Sequence, residues 1–119
     1  MKLKGSKQEQ DFRKELEGSN LVLAKDRKAE VVLNLLKVTF GELKSAYILN
    51  WTPEQGEDIY TILVDIDKIA KVEISRINHS EVPLIETYNL KDFRQRLSKI
   101  FQIKLAVAID LAKTEHQEG

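Results

Sequence analysis

Acidic residues gather in the stretch "VDIDKIAKVE", at Asp65, Asp67 and Glu73. Carboxylate oxygens are what a hard divalent cation prefers, so these three are the metal-site candidates. A nuclease-like centre wants an acid on one strand and an acid-x-lysine pair on the next. The nearest match here, Lys71-x-Glu73, has the reverse order. Asp65 and Asp67 fall where a strand-to-strand turn is expected, and Asp is an ordinary turn residue. The expectation is solvated turn acids, with the cation site as a weak alternative.

A lysine raises the sharper question. The stretch "KIFQIKLAVAIDLAK" is largely apolar, yet Lys104 sits near its centre. At about 100° per residue, Phe93, Leu97, Ile100, Val107, Ala108 and Leu111 form one stripe, and Lys104 falls inside it. Three readings compete. The stem can lie on apolar neighbours while the ammonium reaches water. The ammonium can form a partly buried ion pair, with Glu86 as the best candidate partner. Or Lys104 can bind a ligand, with Glu86 and Tyr88 completing a polar floor. Trp51, the one tryptophan, is expected on the same strand face as Tyr47. Both are candidate anchors for a partner, since interfaces are enriched in such side chains.

Other chemistry finds little support. His79 and His116 are isolated, in a loop and a tail, and read as surface residues. The five glycines are scattered singly and form no phosphate-binding loop. Arg94, Arg96 and Lys99 read as a solvated basic face. No residue is assigned a catalytic role and no cofactor is expected.

Composition narrows the class. The 119 residues fit one domain, and the absence of cysteine excludes disulfides and thiol chemistry. Nineteen basic residues balance nineteen acidic ones, which argues against a nucleic-acid binder. The opening "MKLKGSKQEQ" lacks the apolar core of a secretory signal. No apolar run approaches the roughly 20 residues that span a bilayer. A soluble cytoplasmic protein is expected.

The elements that would position these residues follow from local signals. "SKQE" is a capping box, with Ser6 and Glu9 reciprocally bonded, and it opens a short helix ended by Gly18. Only Phe12 and Leu16 form its apolar stripe, so residues 1–19 are expected to attach loosely. Residues 21–23 fit a short strand or a packed loop. Apolar positions three and four apart, Ala29, Val32, Leu33, Leu36 and Phe40, predict a helix over 26–40 that stops at Gly41. "SAYILNW" alternates as a strand with Tyr47, Leu49 and Trp51 on one face. Pro53 and Gly56 then turn the chain into "DIYTILVDI". "KIAKVEISRI" and "PLIETY" are the third and fourth strands. Asn89 caps the last helix, with Tyr88 and Phe93 as a hydrophobic staple. That helix is predicted to run to about 114, with 115–119 frayed.

The expected fold is therefore α+β: an antiparallel four-stranded meander, helices on one face, in the order α-α-β-β-β-β-α. The second half of the last helix is apolar nearly all round, interrupted only by Lys104 and Asp110. Such a helix needs cover on more than one side. The expected function is a non-catalytic interaction or regulatory domain that self-associates through this helix as a homodimer. The alternative is a small-ligand or metal-binding enzyme with a pocket between sheet and helices.

Overall fold

The structure, a computed structural model, describes residues 3–78 and 82–118. Two helices come first, α1 (Lys7–Glu17) and α2 (Arg27–Phe40). Four strands follow: β1 (Ala46–Glu54), β2 (Glu57–Val64), β3 (Lys68–Ser75) and β4 (Leu84–Asn89). Two helices close the chain, α3 (Leu90–Gln95) and α4 (Lys99–Glu118). The strands form one antiparallel sheet in sequential order, the expected meander.

The local signals act as the sequence predicts. Ser6 Oγ accepts from the Glu9 amide, and the Glu9 carboxylate accepts from the Ser6 amide. Asp26 caps α2 by accepting from the Ala29 amide at 2.7 Å. Asn89 caps α3 by accepting from the Lys91 amide at 2.8 Å, and the Tyr88 and Phe93 rings lie 6.2 Å apart. The turn falls at Gly56 but not at Pro53: β1 runs through Pro53 to Glu54, and Gln55 and Gly56 both take positive φ, as a two-residue hairpin of this hand requires.

Three features depart from expectation. The predicted last helix is two helices. Ser98 starts a second one, its Oγ accepting from the Phe101 amide at 3.3 Å. The Arg96 and Leu97 amides end the first on the Phe93 and Arg94 carbonyls. A serine inside an apolar period can cap a new helix rather than continue the old one. The second helix then runs on to Glu118, through the segment expected to fray.

The helices also occupy both faces of the sheet, not one. Ala29, Val32 and Leu36 of α2 pack with Ala46, Ile62, Val64, Ala70 and Val72. On the other face, Leu16 of α1 and Leu105, Val107, Ala108 and Ala112 of α4 pack with Tyr47, Leu49, Leu63 and Ile69. A strand apolar on both sides, as β2 is at Ile62, Leu63 and Val64, demands this second layer.

The third departure is a β-bulge. The β1–β2 register slips between Ile48 and Asn50, leaving Leu49 as the extra residue. A bulge resets the alternation of side chains. Trp51 now pairs with Tyr60 and shares the α2 side, while Tyr47 faces α4. The expectation that Tyr47 and Trp51 share a face fails for this reason.

Candidate functional site

Lys104 is buried, and its partner is Glu15 on α1, at 2.9 Å. The lysine side chain is 9% exposed and the glutamate 60%. The ammonium also lies 5.7 Å from the centre of the Phe12 ring, within cation–π range. The other polar interruption of α4, Asp110, meets Arg13 of α1 at 2.8 Å. Both charges in the apolar half of α4 are thus answered by α1. Phe12 and Leu16 supply the apolar contact between them. The cover that the sequence demanded for α4 comes from within the chain, and α1 is packed rather than loose.

Glu86 therefore does not partner Lys104. It is exposed on β4, opposite Lys71 of β3. Glu86 Oε2 accepts a hydrogen bond from the Tyr88 hydroxyl. That bond, then partial burial and the adjacent negative charge, push the Tyr88 phenol above its ordinary value of 10. The expected polar floor is split: Tyr88 and Glu86 form one pair and Lys104 belongs to another.

The acidic candidates are also separated. Asp65 Oδ1 accepts from the Lys44 amide at 2.8 Å and ties the β2–β3 turn to the start of β1. His116 Nε2 lies 3.4 Å from the same oxygen, without a well-directed hydrogen bond. Asp67 is exposed in the turn. Glu73 lies toward the far end of β3, 3.7 Å from Lys71. Six residues of strand hold Asp67 and Glu73 roughly 20 Å apart. Among the described residues, no three carboxylate or imidazole groups are placed to hold a metal. His79 lies outside the described residues.

Of the two aromatic candidates, Tyr47 is a core residue beneath α4. Its hydroxyl reaches Glu115 at 3.5 Å. Trp51 is different: it is 51% exposed, yet it is held. Its Nε1 donates to Asp58 Oδ1 at 3.0 Å, and Asp58 is buried. Lys28 from α2 and Arg76 after β3 each approach the Asp58 carboxylate at 3.6 Å. A buried carboxylate is tolerable only with such partners. Asp58 in turn acts on Tyr60, whose phenol is pushed up first by burial, then by Asp58 and Asp26.

Trp51 stands beside a groove of about 710 Å³ along the outer edge of β1. Its apolar walls include Leu21, Val32, Ile48, Tyr60 and Trp51 itself. The edge is closed above the groove. Asn20 Oδ1 accepts from the Ala46 amide, and Ser19 Oγ accepts from the Ile48 amide. Below that point the bulge at Leu49 breaks the regular pairing, and Pro53, within β1, has no N–H to offer an added strand, devices common on edge strands. The groove therefore offers side-chain contacts rather than a strand to extend.

Asp58, Lys28 and Arg76 were not legible as a group. The one available signal was the two-residue period: Asp58 shares the inward face of β2 with Tyr60 and Ile62. An acid at such a position needs a partner. Comparison with protein-family models, curated proteins and solved structures finds no match to this chain.

Proposed function

We propose that this chain is a non-catalytic interaction domain that receives a short apolar segment of another protein in the β1 groove. The observation that carries this is Trp51: a large, exposed aromatic whose N–H is pinned by a buried carboxylate. A rigid indole loses little conformational freedom on binding, which is why tryptophan dominates interface energetics. Arg27, Lys28 and Arg76 are exposed beside it, while the Asp58 carboxylate is buried. Glu15 and Asp26 also line the groove, so its rim carries both signs, and the basic side chains around Trp51 favour a segment with an acidic residue next to its apolar one. The chain's other charged candidates are occupied with each other, Lys104 with Glu15 and Asp110 with Arg13.

Because Trp51 is the sole tryptophan, its fluorescence reports the site directly. Short peptides with one aromatic or leucine residue between acids are titrated against the chain, beside matched peptides with lysines in place of the acids. The acidic set should shift the emission saturably, and Trp51→Ala should abolish binding measured by peptide anisotropy. Equal binding by the Trp51→Ala chain, or no emission change with either set, overturns the reading.

A further inference from the structure

The bulge in β1 and the break between α3 and α4 meet at one place. The bulge sets two successive residues on the α4 side of the sheet. Leu49 belongs to the α4 core with Leu105, and Asn50 lies opposite Thr61, two residues from Leu63 of the same face. Phe93 and Leu97 come from before the helix break and Phe101 from after it. Between these side chains lies a cavity of about 220 Å³, walled mostly by apolar residues. The one charged side chain on its wall, among the described residues, is Lys104.

Lys104 stands between this cavity and the β1 groove, since it lines both, as Leu49 and Asn50 do. Its partner Glu15 lines the groove and not the cavity. Glu15 therefore meets the ammonium from the groove side, where its own side chain is 60% exposed. An ammonium has three donors, and among the described residues Lys104 uses one, on Glu15. The lysine side chain is largely desolvated with two donors unused, so a second acceptor is bound more strongly here than at the surface. Asn50 and Thr61 add an amide and a hydroxyl to the cavity wall, both neutral.

We propose that this cavity binds a small apolar monocarboxylate, with its tail among Leu49, Phe93, Leu97 and Phe101 and its carboxylate on the Lys104 ammonium. The volume equals that of about seven waters, so the acid has roughly seven to ten non-hydrogen atoms. Hexanoate, benzoate and phenylacetate are of that size. One lysine with two neutral polar neighbours suits a single negative charge. A phosphate ester would bring a second charge with no cation to meet it. Glu15 and the ligand place two carboxylates on one ammonium, so their repulsion makes Glu15 a brake on binding. The site lies on the α4 side of the sheet, whereas Trp51 faces α2, so it does not depend on peptide binding in the β1 groove.

The test is a titration of the isotope-labelled chain followed by backbone NMR shifts. Hexanoate, benzoate and phenylacetate are compared with hexanamide, benzamide and phenylacetamide, which keep the shape and lose the charge, at matched pH and ionic strength. The acids should saturably shift the signals of Thr61, Leu97 and Phe101, which line the cavity and not the groove. The best of them should bind with a dissociation constant of roughly 1 mM or tighter. The uncharged analogues should bind at least about tenfold more weakly, the worth of hydrogen bonds to a charged group. Lys104→Met should lose the acid by the same factor while its spectrum stays that of a folded chain. Glu15→Gln should bind the acid about fivefold more tightly, a gain that a merely structural pair would not produce. No saturable shift at those three residues by about 10 mM overturns the proposal. So does equal binding of acids and uncharged analogues, or acid binding that Lys104→Met leaves unchanged. A Glu15→Gln chain that binds the acid no better also overturns it, because the carboxylate is then not on Lys104.

Discussion

Replacing Glu15 by Gln removes one charge of the α1–α4 pair and keeps an acceptor in place. At 2.9 Å, unit charges attract by about 1.4 kcal/mol in water and by about 6 kcal/mol at an effective dielectric constant of 20. The lysine side is buried, but the carboxylate is mostly exposed, so the water limit governs. A coupling near 1 kcal/mol is expected, not the 3–5 kcal/mol lost when a fully buried pair is broken. Lys104→Met removes the same attraction but relieves the lysine of its desolvation, so its net effect should stay within about 1 kcal/mol of zero. The assay is a double-mutant cycle of Glu15→Gln and Lys104→Met, read by urea unfolding and thermal melts. In a chain this long, about 1 kcal/mol corresponds to a shift of roughly 4 °C. The coupling should fall further in high salt. A coupling under about 0.3 kcal/mol would show that the charges do not fasten α1 to α4. A value above about 3 kcal/mol would show that the glutamate behaves as buried, and the reasoning from its exposure would be wrong.

Other perturbations address separate parts of the fold. Glu9 is held at about 2, below its ordinary 4.5, first by the Ser6 amide, then by the Ser6 hydroxyl and the Lys4 and Gly5 amides. Its contribution to stability should be complete above pH 4.5 and decline as pH falls from there toward 2, and Ser6→Ala should raise the Glu9 titration measured by carboxyl NMR shifts. Tyr88 should ionise above pH 10 in an ultraviolet titration, and Glu86→Gln should bring that midpoint down. Gly56→Ala puts a side chain at a φ of 81°, where L residues are strained, and should cost about 1–3 kcal/mol in denaturant unfolding, while the exposed Ile77 side chain beside it can move aside. Leu36→Ala in the fully buried stripe of α2 should cost about 2–5 kcal/mol by the same measurement.

Features set by a few adjacent residues were legible in the sequence. Ser6 with Glu9, Asn89 before α3 and Gly56 in the β1–β2 turn each carry their cause within four residues. Features set by distant packing were not. Leu49 looks like any alternating strand residue, and only pairing with β2 shows it to be the bulge that turns Trp51 to the α2 side. Ser98 lies in a continuous helical period, so its choice to cap had no local marker strong enough to break the pattern. The oddity of Lys104 was visible at once, but its partner was not. Glu15 is one exposed acid among many, 89 residues away, and nothing short of the folded sheet brings it there.

That separation bears on the order in which the chain can fold. The surface that receives α1 is built from β1, β2 and α4, all of which leave the ribosome after it. The capping box lets α1 form early as an isolated turn of helix, but eleven residues are too few to persist alone. Docking must wait for α4, across a closure of about ninety residues whose entropic cost slows assembly. Until then the sheet face under α4 is open, with Tyr47, Leu63 and Ile69 bare. A nascent chain at that stage is the form in which this protein is most exposed to chaperones and to aggregation.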